Sequence, residues 1–518
     1  MVLAFLVWIE KTGGVQGRSD PNRELLDAAA LVGHLVPAGT VHRFLAEHRQ
    51  RLFPDELFAD LFGSGRGRPS VPADVIATVL VLQSLEGLSD RDAVQALRTD
   101  LRWKVAAGLA LDDEGFHPTV LTLWRNKLRV SDRPERIFDA VRAVIAETGV
   151  LKGKVRRALD STVLDDAVAT QDTVTQLIAA IRRVRRLIPA AAALELSAHD
   201  YSDPGKPRIA WDDDAARQQL ITGLVTDAHT VLDAVDGVAL DDEQAGAVGL
   251  LALITGQDVE AGDRDGTWRI AKGTAKDRVI STVDPDTRHV HKSVSSYRDG
   301  YKAHVSVEPV TGLICAQRLT PGNAPDGPTG VELMADEPPK RQVLADGAYG
   351  SGPTRAALRR RRHRLAIKPW PTANTGRYSR DDFRVDHDAR TATCPAGHTV
   401  SIAPAGAATF QRHCNAGCPL RDRCTTARDG RVLHVSAHDA ELHDARRAWR
   451  HGDFADDYRR WRPMVERTLA WLVRPGRRVA YRSTARNRIW LAHRAAAINL
   501  QRLLTLGLHH DSHWQLAT

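Results

Sequence analysis

The feature that most constrains this chain is the order in which its strand-like segments arrive. Val155 to Thr162 reads as a short strand in which the apolar pair Ala158-Leu159 is followed by Asp160. A helical stretch then fills roughly residues 166–256, too long and too Ala- and Leu-rich for a loop. Strand character returns at Gly300 to Val307. Thr311-Gly312 turns the chain, and Leu313 to Leu319 runs back, a hairpin by alternation and turn chemistry. Gln342 to Ala345 forms a third strand that closes on Asp346-Gly347. A helix from Thr354 and a strand at Leu365 to Ile367 complete the pattern. Strand, insertion, hairpin, then strand-helix-strand predicts a multi-domain α/β fold with a mixed central sheet.

The chain's 518 residues exceed one ordinary domain. With 43% hydrophobic and 26% charged residues it can bury real cores and is neither disordered nor fibrous. No apolar run reaches the ~18–20 residues of a membrane span, so no membrane partner is expected. Val2 to Ile9 is too short for one. It also lacks the basic start and small-residue cleavage site of a signal peptide. Five cysteines exclude a disulfide scaffold and point to a reducing cytoplasm.

Charge is unevenly spread. Residues 1–350 hold 41 Lys and Arg against 50 Asp and Glu, whereas residues 351–518 hold 31 against 14. A positive excess confined to the last third suits a polyanion partner.

Ahead of the first strand, residues 40–150 read as helices joined by Gly- and Ser-bearing turns. The apolar run Val75 to Leu82 sits behind Pro72 and Asp74, and helices are expected near Arg91 to Thr99 and Val120 to Leu128. This is the pattern of a helix-turn-helix-like bundle. Ser64 to Pro69 is a basic loop that could touch phosphate or merely connect.

Three carboxylates occupy distinctive places. Asp160 and Asp346 belong to strands, and Glu466 falls in the first turn of a helix starting near Trp461. Asp160 is preferred over its neighbours Asp165 and Asp166 because the strand pattern ends on it. Converging carboxylates could hold two divalent cations. Such a pair activates a water or a 3′-hydroxyl and stabilises the leaving oxygen in phosphoryl transfer. Hard oxygen ligands suit Mg²⁺ or Mn²⁺. The bland alternatives are a cap, a turn residue and a solvated helix carboxylate.

In this order the segments resemble a DDE-type transposase of bacterial insertion sequences. Leu52-Phe53-Pro54 through Trp124-Arg125 looks like the N-terminal helical domain of that family, and Arg157 to Thr162 like its first-aspartate strand. Asp299 to His304, with Leu319 to Asp326, resembles the family hairpin and its T-P-G-N turn. Leu344 to Gly350 looks like the second-aspartate segment. Arg462 to Arg467, then Tyr481-Arg482 and Ala495 to Leu500, looks like the glutamate helix and tail.

The resemblance implies an RNase H-like catalytic core with Asp160, Asp346 and Glu466 as a two-metal triad. It implies cleavage at element ends that frees a 3′-hydroxyl, and attack of that hydroxyl on target DNA. It further implies double-stranded DNA as partner, paired ends on a homodimer, and a cytoplasmic, nucleoid-associated location. Related families carry a Tyr–Arg–Glu–Lys pattern. Here Arg462 stands four before Glu466 as expected, Tyr458 is one residue early, and Val473 holds the Lys position with Arg474 next to it.

The implied division is an extension at 1–39, a DNA-binding domain at 40–150, a catalytic domain at 151–505 and a tail at 506–518. Residues 1–20 match nothing in the resemblance, which leaves a later initiation site as an alternative to a start at Met1. A Cys-rich insertion at about 385–435 carries Cys394, Cys414, Cys418 and Cys424. Four thiolates suit a tetrahedral Zn²⁺, with His398 and His413 as substitutes. An iron–sulfur cluster or four free thiols are the alternatives.

Arg359 to Arg362 follow the second aspartate on a helix, and four consecutive arginines would cover all its sides. Arg462, Arg359, Arg360, Arg474 and Arg482 are the candidate phosphate contacts. Trp461, Trp471 and Trp490 lie among these basic residues and could stack on bases or pack in the core. Besides an active transposase, an inactive or domesticated descendant and a nuclease of other purpose on the same fold fit the residues.

Overall fold

The computed structural model describes residues 15–19, 26–63, 67–293, 296–372 and 376–517. Most of the 1–20 segment, including Val2 to Ile9, and residues 64–66 of the basic loop lie outside them.

Among the described residues the chain builds strands β1 (Arg156–Asp165), β2 (Val259–Ala261), β3 (Trp268–Ile270), β4 (Arg288–Ser293), β5 (Ser296–Glu308), β6 (Leu313–Pro321), β7 (Gln342–Ala345) and β8 (Arg364–Ile367) before the Cys-rich segment. The central sheet runs β5-β1-β7-β8. β4 and β6 share the outer edge of β5, pairing with its first and second halves. β1 is antiparallel to β5, whereas β7 and β8 run parallel to β1. An antiparallel hairpin beside a first strand, followed by two parallel crossovers, is the RNase H-like order. The α/β reading therefore holds.

β1 is longer than its sequence pattern suggests. It continues past Asp160 to Asp165, because β5 supplies a partner at every position down to Asp165↔Gly300. Asp160 therefore sits mid-strand, which corrects the reason for preferring it over Asp165 and Asp166. Gly300 is required at the far end. Its φ is +145°, and a Cβ there would come within 2.1 Å of the Leu164 carbonyl oxygen.

The helices Ala73–Glu86, Asp90–Thr99 and Thr119–Val130 appear where expected. The first is buried on every side, as its unbroken apolar run requires. The N-terminal helices and the central sheet share one hydrophobic core. The helix Thr484–Thr505 joins them, packing its Ala-rich centre between β6 and the helices Ala73–Glu86 and Arg136–Glu147. Small side chains there let the backbones approach closely.

The segment after β1 has a core of its own, built from the helices Thr173–Leu187, Asp214–Val235 and Asp242–Gln257. It extends beyond residue 256 through the β2–β3 hairpin, and Val279 closes its core. Short strands with little alternation carried no readable signal there. The Cys-rich segment forms a third small core from three-residue strands. Among the described residues no helix is long and apolar enough to cross a membrane.

Candidate active site

Strand register brings the two aspartates together. Ala158 pairs with Leu344 across parallel β1 and β7, and two residues further along stand Asp160 and Asp346. The pleat returns each side chain to the same face. Asp346 also begins a 3₁₀ turn, where its Oδ1 accepts from the Ala348 amide at 3.0 Å. The helix Pro463–Val473 starts with Pro at its first position and carries Glu466 in its first turn.

Arg462, just ahead of that helix, stands between all three carboxylates. Its Nη1 lies 2.9 Å from Asp160 Oδ2 and 3.6 Å from Glu466 Oε1, and its Nη2 lies 3.8 Å from Asp346 Oδ2. Arg462 is 6% exposed at its side chain and Asp160 13%, whereas Asp346 and Glu466 open to solvent at 43% and 61%. Asp160 Oδ1 accepts from the Ser161 amide at 2.8 Å. Burial raises the Asp160 carboxyl above its ordinary range and outweighs the pull of Arg462. Burial also opposes the Arg462 charge, but Asp160, with Tyr458 and Asp346, offsets it and leaves Arg462 raised. Tyr458 neighbours this guanidinium; its phenol is raised, chiefly by burial.

Among the described residues no three His, Cys, Asp or Glu side chains already form a cage for a metal ion. At the triad a guanidinium stands among the three carboxylates. The residues fit a hard divalent cation all the same, since three oxygen donors already gather on one positive group.

A fourth carboxylate adjoins the site and was not singled out from sequence. Asp326 starts the helix Asp326–Leu333, accepts from Lys302 Nζ at 2.8 Å and lies 3.3 Å from Ser161 Oγ. His304 sits behind it, 3.3 Å from the Tyr349 hydroxyl and 3.0 Å from Thr320 Oγ1. Burial pushes His304 down to about 3, so it is neutral at physiological pH. The only sequence signal was that Lys302, His304 and Asp326 all belong to the hairpin motif.

The other predicted residues scatter. Asp165 pairs with Arg298 at 2.8 Å and 3.0 Å. Asp166 keeps one buried oxygen without a partner, and burial raises its carboxyl to about 6. Neither approaches Arg462. The four-arginine run is not fully helical. The helix Gly352–Arg360 ends before Arg362, which adopts φ +63°, so Arg359 to Arg362 all face solvent. Arg359 pairs with Glu441 at 3.1 Å, and Arg360 is exposed. Arg482 is exposed. Arg474 borders a separate cavity of about 490 Å³, with Trp471, Arg494 and Arg502. Trp461, Trp471 and Trp490 are each half-buried under an arginine: Arg156, Arg502 and Arg494.

The structure gathers the cysteines as well. Cys394, Cys414, Cys418 and Cys424 border one cavity of about 10 Å³, together with His398 and His413, whose rings stack at 4.3 Å. Cys315 lies elsewhere, on β6.

Residues 32–127 match the family described as Transposase domain (DUF772), and residues 393–504 match the Transposase DDE domain. The second match includes the four clustered cysteines, Arg462 and Glu466; neither includes Asp160 or Asp346. No curated protein and no solved structure matches the chain.

Proposed function

We propose, on the premise that this chain is a DDE-type transposase of the insertion-sequence kind, that it cuts DNA at element ends and joins the freed 3′-hydroxyl to target DNA. One observation carries this reading: Asp160 from a central strand, Asp346 from a strand end and Glu466 from a helix all converge on one guanidinium. Asp160, Asp346 and Glu466 would hold two Mg²⁺ or Mn²⁺ ions. Bound there, such ions supply the charge that activates a nucleophilic oxygen and stabilises the leaving one.

The chain's own residues set the rest. Sheet pairing fixes Asp160, and the 3₁₀ turn fixes Asp346. Glu466 is exposed at the helix start, where a scissile phosphate can reach it. Lys302 neutralises Asp326 and keeps that carboxylate out of competition for cations. Arg462 balances the carboxylates and is too buried in this arrangement to contact a DNA phosphate. The exposed Arg359, Arg360, Arg474 and Arg482 supply candidate phosphate contacts, consistent with the basic last third of the chain. End pairing by two copies and end recognition by the N-terminal helices complete the reading.

The test is strand cleavage and joining on element-end DNA with Mg²⁺. Asp160→Asn, Asp346→Asn and Glu466→Gln should each abolish both steps while DNA binding persists. Full activity in all three variants would overturn the reading.

A further inference from the structure

The Cys-rich segment poses a problem that the carboxylate site does not. Its core is a handful of side chains, among them Phe383, Phe410 and Leu433, held by strands of three residues. A core that small seldom holds a fold without a staple. Into its centre face Cys414 and Cys424, both buried, and Cys394 and Cys418, both half-buried. The space they border, about 10 Å³, accommodates one ion or water. A second observation points to an anionic centre. Arg431 Nε is buried without a hydrogen-bond partner among the described residues, and its guanidinium lies over the Phe383 ring in the same core. Arg431 is half-buried, and deprotonated thiols would give its inaccessible Nε an anionic neighbour.

We propose that Cys394, Cys414, Cys418 and Cys424 bind one Zn²⁺ as a closed, structural tetrathiolate site. The four sulfurs do not form a ready cage as they stand. Every one of the four residues already borders the same cavity, so closure needs side-chain rotation rather than a new backbone path. His398 borders the cavity too but is exposed, and four sulfurs complete the tetrahedron without it. Binding converts four thiols to thiolates and releases their protons to solvent. The site is independent of the proposed chemistry. Its metal would hold the segment against the helix Asp439–His451, where Arg380 pairs with Asp439 and Arg446 pairs with Asp381.

The test uses the full chain, purified reduced. Elemental analysis should find about one zinc per chain. Titration with a mercurial should release that zinc in step with the first four thiols, leaving Cys315 for last. Cys414→Ser and Cys418→Ser should lower bound zinc at least about tenfold, whereas Cys315→Ser should keep it. Zinc-free protein that stays so when Zn²⁺ is added overturns the proposal. So does zinc retained by both serine variants, or iron with visible absorption. Because the titration uses the unmutated chain, a misfolded variant cannot decide the matter.

Discussion

The carboxylate centre and the cysteine centre gather acidic groups in opposite ways. Around Asp160, Asp346 and Glu466 the chain supplies its own counter-charge, and a large core shared by the sheet and the helix Thr484–Thr505 holds the frame. Around the four cysteines the core is small, and among the described residues the buried Nε of Arg431 has no hydrogen-bond partner. The difference teaches what a metal would do in each place. On the proposed readings, the first site is already folded and would use a cation for chemistry. The second would use one to hold its shape.

The contrast breaks most easily at the first centre. Removing one carboxylate by Asp346→Asn, which keeps an oxygen for the Ala348 amide, should cut strand cleavage by at least about 100-fold while leaving thermal unfolding nearly unchanged. A matching loss of stability would mean that Asp346 is mainly a turn residue.

At the second centre, zinc chelation should open residues 378–435 to protease and to hydrogen exchange, while β1, β5 and β7 stay protected. Uniform loss of protection would merge the two regions into one cooperative unit.

Lys302→Met, which leaves Asp326 without its cation, should destabilise the fold by about 3–5 kcal/mol in denaturant titration. An unchanged midpoint would show that Asp326 is solvated.

Asp166 gives the smallest effect, read against pH. Its folded pKa of about 6 lies above the ordinary 3.8. The stability it contributes is therefore complete below about 4 and is lost as pH rises through 6. Asp166→Asn should gain stability relative to the native chain across that window, measured by thermal unfolding at pH 4 and pH 7.

Much of this arrangement was legible in residues 155–367. Turn chemistry at Thr311-Gly312 and the apolar run ending at Asp346 located the hairpin and β7, because sheet periodicity and turn residues are local signals. What escaped depends on long-range register. The extension of β1 to Asp165 comes from β5, 135 positions or more away in pairing. The position of Arg462 among three carboxylates follows from a helix packed on a distant sheet. The four spacing of Arg462 and Glu466 hinted at one contact; nothing local hinted at the other two. Asp326 was hidden because its partners, Lys302 and His304, lie on another element. The arginine run was misread because a helix C-terminus turns on one φ angle, at Arg362, which composition does not reveal.

The central claim is that Asp160, Asp346 and Glu466 form one cation site now balanced by Arg462. Mn²⁺ binding followed by electron paramagnetic resonance tests it without DNA. The account predicts Mn²⁺ binding that is lost in Asp160→Ala and Asp346→Ala, and tightened several-fold in Arg462→Gln, where the competing guanidinium is gone. Mn²⁺ binding unchanged by either aspartate variant, or weakened in Arg462→Gln, would contradict it.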